Sequence, residues 1–172
     1  KVSDEGNFLE ALGNGASDGM KLAINIAAML IAFISVIALF NWLLGLVSFG
    51  GITLSIELIL GYLFMPLAFL MGAPWSEAQT LGSLMGQKLV LTEFIAYGNL
   101  ATLGNDISVR TATIAAYALC GFANFASIGI QLGGIGSIAP ERKKDLSKLV
   151  VKAMFGGALA SWLTATIAGI LI

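Results

Sequence analysis

Histidine is absent from the chain, and Cys120 is its single cysteine. Together these exclude a disulfide framework, a Cys/His metal cluster and a Cys/His or Ser/His catalytic pair within the chain. Cys120 itself, beside Gly121 in an apolar run, reads as a small packing residue. Charge is scarce as well: 11% of the 172 residues are charged, against about 25% in an ordinary soluble domain. No charge falls between Lys21 and Glu57, between Arg110 and Glu141, or after Lys152. Each of these gaps reaches or exceeds the roughly 20 apolar residues that cross a hydrocarbon core as a helix. What fills them is apolar, 58% of the whole, with a mean hydropathy of +0.91. The composition is that of an all-α integral membrane protein with several membrane segments, embedded in a lipid bilayer. The net charge of −1 says nothing about partners, and nucleic acid is not among the plausible ones.

Against that background Lys88 and Glu93, in Gly86-Gln-Lys-Leu-Val-Leu-Thr-Glu-Phe-Ile-Ala-Tyr97, need a reason. An ionised side chain near the bilayer centre costs roughly 2.5 to 3.5 kcal/mol on insertion scales, so it usually faces a partner, a water-filled cavity or a substrate. Glu93 is read as facing a substrate. Lys88 lies five residues earlier, off the favourable helical pairing distance, and is expected to pair elsewhere or to help position the segment.

The chain begins at Lys1 without a signal-peptide pattern and is read as part of something longer. Residues 1–16 are expected to form a short interfacial amphipathic helix, with Phe8, Leu9 and Leu12 at helical spacing, ended by the breaker Gly13-Asn14-Gly15. Residues 17–50 are expected to form a long tilted transmembrane helix, capped at Ser17-Asp18 and ended by Gly50-Gly51. Its Asn25, Ser35 and Asn41 suit interhelical hydrogen bonds. Residues 51–75 suggest an interfacial helix carrying Glu57, Tyr62 and a kink at Pro66, closed by a headgroup-level turn at Pro74-Trp75.

Residues 76–105 offer two half-length helices, the first capped by Ser76-Glu77, with polar Thr92-Glu93 at their junction. That is the pattern of a re-entrant hairpin with its tip at membrane depth, although one continuous helix with Glu93 salt-bridged to a neighbour also fits. Residues 106–138 suggest a transmembrane helix broken at 120–129, where Asn124 and Ser127 sit between Gly121 and Gly129. Unwound backbone of this kind is tolerated where it lines a cavity; the alternative is an unbroken helix whose Asn and Ser glue it to neighbours.

Residues 139–148 carry Glu141, Arg142, Lys143, Lys144 and Lys148, a basic loop expected on the cytoplasmic side, and 149–172 form the final transmembrane helix, with the C-terminus outside. Gly156-Gly157-Ala158 and Ala160-Ser161 give that helix a small-residue face for packing. Counting back, the broken helix runs from outside to inside, the hairpin enters from outside, and the helix starting near Met20 runs outward with Lys21 at its inner end.

These motifs together resemble the C-terminal half of the concentrative nucleoside transporters. In the family's hairpin signature, Gly86, Lys88, Glu93, Phe94, Ala96 and Tyr97 match. The second signature resembles Ala118-Leu-Cys-Gly-Phe-Ala-Asn-Phe-Ala-Ser-Ile-Gly129, and Gly133-Gly134, Ala139-Pro140, Leu58 to Pro66 and Met71 to Trp75 also fit. Thr92 and Ile95 stand where the commonest motif has Asn and Val.

The resemblance implies a secondary active symporter that takes up nucleosides, uridine-like ones included, by alternating access on a sodium or proton gradient. It implies that Glu93 with Asn124 and Ser127 binds the ribose, that Phe122 could contact the nucleoside, and that Thr92 at the hairpin tip could alter affinity. The hairpin and the broken helix would move against a homotrimeric scaffold that includes the Met20 helix. No cofactor is implied; the coupling ion, Na+ or H+, and the base contacts would be held mainly by a missing N-terminal half. The setting would be a cell membrane, as in a bacterial inner membrane. An ion channel or a non-transporting structural subunit would use the same polar intramembrane groups. An enzyme is the weakest reading, because Glu93 lacks a second catalytic group at membrane depth.

Overall fold

The computed structural model describes residues 8–46, 48–49 and 52–172. Helix α1 spans Phe8–Gly45, followed by a two-residue ribbon in which β1 (Ser48–Phe49) pairs antiparallel with β2 (Ile52–Thr53). Then come α2 (Ile56–Leu70), α3 (Trp75–Val90), α4 (Glu93–Leu103), α5 (Val109–Leu119), α6 (Phe125–Ile138) and α7 (Lys143–Leu171). One-turn 3-10 segments at Gly104–Asp106 and Pro140–Arg142 lead into α5 and α7. The all-α class stands, and the ribbon is its only extended pairing among the described residues.

Several local expectations give way to the structure. Helix α1 runs unbroken through Gly13-Asn14-Gly15. A glycine inside a helix costs only about 1 kcal/mol relative to alanine, and a helix already nucleated in its apolar flank propagates through that. Residues 1–7 and Gly50-Gly51, on which the interfacial-helix and helix-end expectations partly rest, lie outside the described residues.

The basic stretch is no loop over most of its length. Pro140 opens a 3-10 turn, and Lys143, Lys144 and Lys148 already belong to α7, since lysine is a good helix former and Arg142 pairs with Asp145 at 2.8 Å. Helix α3 starts after Pro74, without a side-chain cap. Glu77 crosses to α5 instead, accepting from the Ser108 amide at 3.1 Å and from its hydroxyl at 2.7 Å.

Helix α3 is the centre of the packing, lying against α2 on one side and α4 and α5 on others, while α7 packs on α5 and α6 and α1 lies along α6. Leu81, Met85 and Leu89 of α3 meet Ala68 and Met71, Ile114 and Leu119 of α5, and Met154 and Trp162 of α7 in one buried cluster. Main chain meets main chain between α2 and α3: a Cβ on Gly82 would strike the Gly61 carbonyl, and one on Gly86 would come within 3.1 Å of the Glu57 carbonyl. That closeness is what the small residues of these helices permit.

Polar side chains fasten the helix ends. The Asn41 amide of α1 donates to both oxygens of Glu57 at 2.9 Å and accepts the Ile56 amide at 2.8 Å. Arg110 forks onto the carbonyls of Gly72, Gly169 and Ile172 at 2.7, 2.6 and 2.6 Å, tying the α2–α3 turn to the end of α7.

The outer surface is apolar: Ile31, Leu63, Leu163 and Leu171 are among many large hydrophobic side chains left exposed. A water-soluble surface interposes polar groups where this one does not. Among the described residues, Pro140–Leu171 is long and apolar enough to cross a membrane, and Ile34–Gly45, Ile56–Leu70 and Phe125–Gly136 are shorter apolar helices. Helix α1, with 38 residues, is about 57 Å long at 1.5 Å per residue.

Candidate functional site

The two helix interruptions meet. Helix α3 ends at Val90 and α4 restarts at Glu93, with Thr92 in extended backbone as its N-cap; the Thr92 hydroxyl oxygen accepts from the Ile95 amide at 3.4 Å. Helix α5 ends at Leu119 and α6 restarts at Phe125, with Asn124 in the same extended conformation as its N-cap. Both interruptions are built by residues suited to the task, since a cap oxygen satisfies one of the amides that a helix start leaves without a partner.

The second cap is reciprocal. Asn124 Oδ1 accepts from the Ser127 amide at 2.7 Å, and the Asn124 amide donates to the Ser127 hydroxyl at 3.3 Å. The Ser127 hydroxyl proton goes to the Asn124 carbonyl at 2.6 Å. Both side chains are fully buried. This box consumes the Asn124 side-chain oxygen and leaves its amide nitrogen for a partner outside the box.

That nitrogen reaches the hairpin: Asn124 Nδ2 donates to Glu93 Oε2 at 2.9 Å. Glu93 is the first residue of α4, half-buried, and stands beside the start of α6 as well. Two helix N-termini thus face one carboxylate, and each favours negative charge. Among the described residues the other oxygen, Glu93 Oε1, has no hydrogen bond. A carboxylate held by one oxygen, with the second presented, is arranged to accept hydrogen bonds from neighbouring hydroxyls.

Glu93, Asn124 and Ser127 are therefore brought together, with Thr92 next to them in a capping role. Phe122, two residues before Asn124 in the interruption, is 55% exposed. Supporting contacts that the sequence pattern did not single out brace the hairpin: Tyr97 donates its hydroxyl proton to the Ala116 carbonyl at 2.6 Å, and Asn99 donates to Gln87 Oε1 at 2.6 Å. A signal for the second was present, because Gln79, Ser83 and Gln87 recur every four residues on α3 and line a polar groove of about 220 Å³ with Asn99 and Thr102. No group of three or more Cys, Asp or Glu side chains able to hold a metal ion occurs among the described residues.

Residues 1–169 match the family described as Na+ dependent nucleoside transporter C-terminus. The chain belongs to this family. It is 50% identical to an uncharacterized transporter, YutK, of Bacillus subtilis, over 98% of this chain and 43% of that protein. Sodium/nucleoside cotransporter 2 of Rattus norvegicus is 42% identical over 98% of this chain and 28% of its own length. A solved structure of a CNTnw variant in an intermediate state superposes with a TM-score of 0.87 at 42% identity, covering all of this chain and 44% of that one. The chain thus spans less than half the length of these relatives.

The structure gives Thr92 a capping role that Asn would also perform. Both are good N-caps, so either residue at position 92 preserves the start of α4.

Proposed function

We propose that this segment supplies the sugar-binding side of a sodium-coupled nucleoside symporter, with the remainder of the protein contributing the base contacts and the ion site. The bond from Asn124 to Glu93 carries this reading, because it orients a carboxylate at membrane depth and leaves Oε1 for the ribose hydroxyls of a uridine-like substrate. Asn124, fully buried, acts by orienting Glu93. Ser127 acts through Asn124, by holding its amide in place, and the exposed ring of Phe122 is the aromatic surface we assign to the nucleoside.

Helices α3 and α4, with 16 and 11 residues, are about 24 Å and 17 Å long, short of a hydrocarbon core of about 30 Å. Their length supports a re-entrant hairpin entering from outside, with α5 and α6 as a discontinuous transmembrane helix. In this reading they move by alternating access against a scaffold that includes α1, in a homotrimer, with Arg142 to Lys148 cytoplasmic. Sodium is the coupling ion favoured by the family; a proton gradient is the other candidate.

The test is uptake of labelled uridine into vesicles holding the complete protein, with and without an inward sodium gradient, for the wild type and Glu93→Gln. Saturable, gradient-driven accumulation that the variant loses supports the reading. Flow that never rises above equilibrium indicates a channel, and absence of nucleoside uptake under either ion gradient removes the substrate assignment.

A further inference from the structure

Lys88 is a charge that the site described above does not use. It is completely buried on α3, and its ammonium donates to the Ser161 hydroxyl of α7 at 3.1 Å. Ser161 is free to accept, because its own proton goes to the Ala158 carbonyl at 2.8 Å. Among the described residues no carboxylate forms an ion pair with Lys88. A buried ammonium held by one neutral hydroxyl is a poor arrangement for stability alone, and at such positions an apolar side chain of similar volume is often neutral or better. Glu93 acts on the charge through space without contacting it, and a closer source of negative potential completes the balance.

The surroundings supply it. Gly121, the second residue of the interruption between α5 and α6, lies over the Lys88–Ser161 pair: a Cβ built there would sit 3.2 Å from Ser161 Cβ and 3.8 Å from Lys88 Nζ. One turn earlier on α7, a Cβ on Gly157 would meet Ala123 Cβ at 3.3 Å. The small face of α7 is therefore the bed on which residues 121–123 rest, with the ammonium beneath them. The C-terminal end of α5, where carbonyls lack helical partners, ends at Cys120 beside the charge, and a helix C-terminus attracts a cation.

We propose that Lys88 is a positioning residue for the Glu93–Asn124 site: through Ser161 and the end of α5 it holds the interruption at 120–124, and with it the Asn124 amide that orients Glu93. Lys88 does not touch the substrate. It sets how sharply the carboxylate can demand both sugar hydroxyls. The proposal rests on the reading of Glu93 as the sugar ligand.

The experiment compares Lys88→Met and Ser161→Ala with wild type in the complete transporter, reading thermal stability, uridine KM and the ratio of KM values for 2′-deoxyuridine and uridine. Positioning predicts that Lys88→Met keeps or gains thermal stability while the deoxy-to-ribo ratio collapses by about fivefold, the effect of loosening one hydrogen bond to a charged group. Ser161→Ala, which removes the ammonium's acceptor with little change of volume, shifts the ratio in the same direction by less. An unchanged ratio in Ser161→Ala, with the protein inserted and uptake measurable, overturns the proposal, and it decides the matter should Lys88→Met fail to insert. If Glu93→Gln itself retains wild-type uptake and discrimination, the sugar-site reading falls instead, so the two failures are told apart.

Discussion

The Asn124 amide donates to Glu93 Oε2 over 2.9 Å, so the residue that starts α6 also aims the residue that starts α4. Thirty-one positions separate them in sequence. The cap and the contact to Glu93 are one side chain, which allows substitutions that separate the two roles.

Asn124→Asp keeps an excellent N-cap but sets two carboxylates face to face. We expect a correctly inserted protein whose uridine binding at neutral pH drops by about tenfold or more, because a donor to Glu93 becomes a like charge facing it. Binding to the purified complete transporter checks this. Wild-type affinity in the variant would count against direct contact between the two groups.

At the hairpin tip, Thr92→Val removes the oxygen that accepts the Ile95 amide. The loss should be about 1 kcal/mol of stability, whereas Thr92→Asn should stay within a few tenths of wild type. Thermal unfolding in detergent distinguishes the two. Equal losses would mean that the hydroxyl contributes something other than the cap.

Gly82→Ala places a methyl group against the Gly61 carbonyl. Separating α2 from α3 should cost about 1 to 3 kcal/mol as overpacking. The same unfolding measurement applies, and a wild-type melting temperature would show that the two helices part without penalty.

Arg110→Lys preserves the charge and loses the fork. A single ammonium cannot match the planar guanidinium on three carbonyls from two parts of the chain, and we expect a loss of about 1 to 3 kcal/mol. Amide hydrogen exchange near Gly169 should rise in the variant, reporting a freed end of α7. Unchanged exchange there would assign the stability of α7 to its apolar packing alone.

Charges at Lys88 and Glu93 in apolar surroundings, and Asn124 with Ser127 between glycines, pointed to both interruptions, while an unbroken helix also fitted each stretch; the structure breaks both. Their local chemistry was less legible. Asn124 and Thr92 are caps because backbone extended at those residues leaves amides to satisfy, and a hydrogen-bonding side chain in sequence does not announce which amide it will meet. The partner of Lys88 lies 73 positions away, on a face that by composition looked like packing only. Gly13-Asn14-Gly15 misled in the opposite direction: local propensity suggested an end, and the cooperativity of a long helix overrode it.

The glycine notches between α2 and α3 work like interlocking teeth. A shift of one residue along the joint would drive a Cβ into a facing carbonyl at Gly61 or Glu57, which couples the positions of the two helices. A displacement at residues 91–92 is then felt at Glu57, in the first turn of α2 beside the end of α3, where the Asn41 clasp to α1 lies.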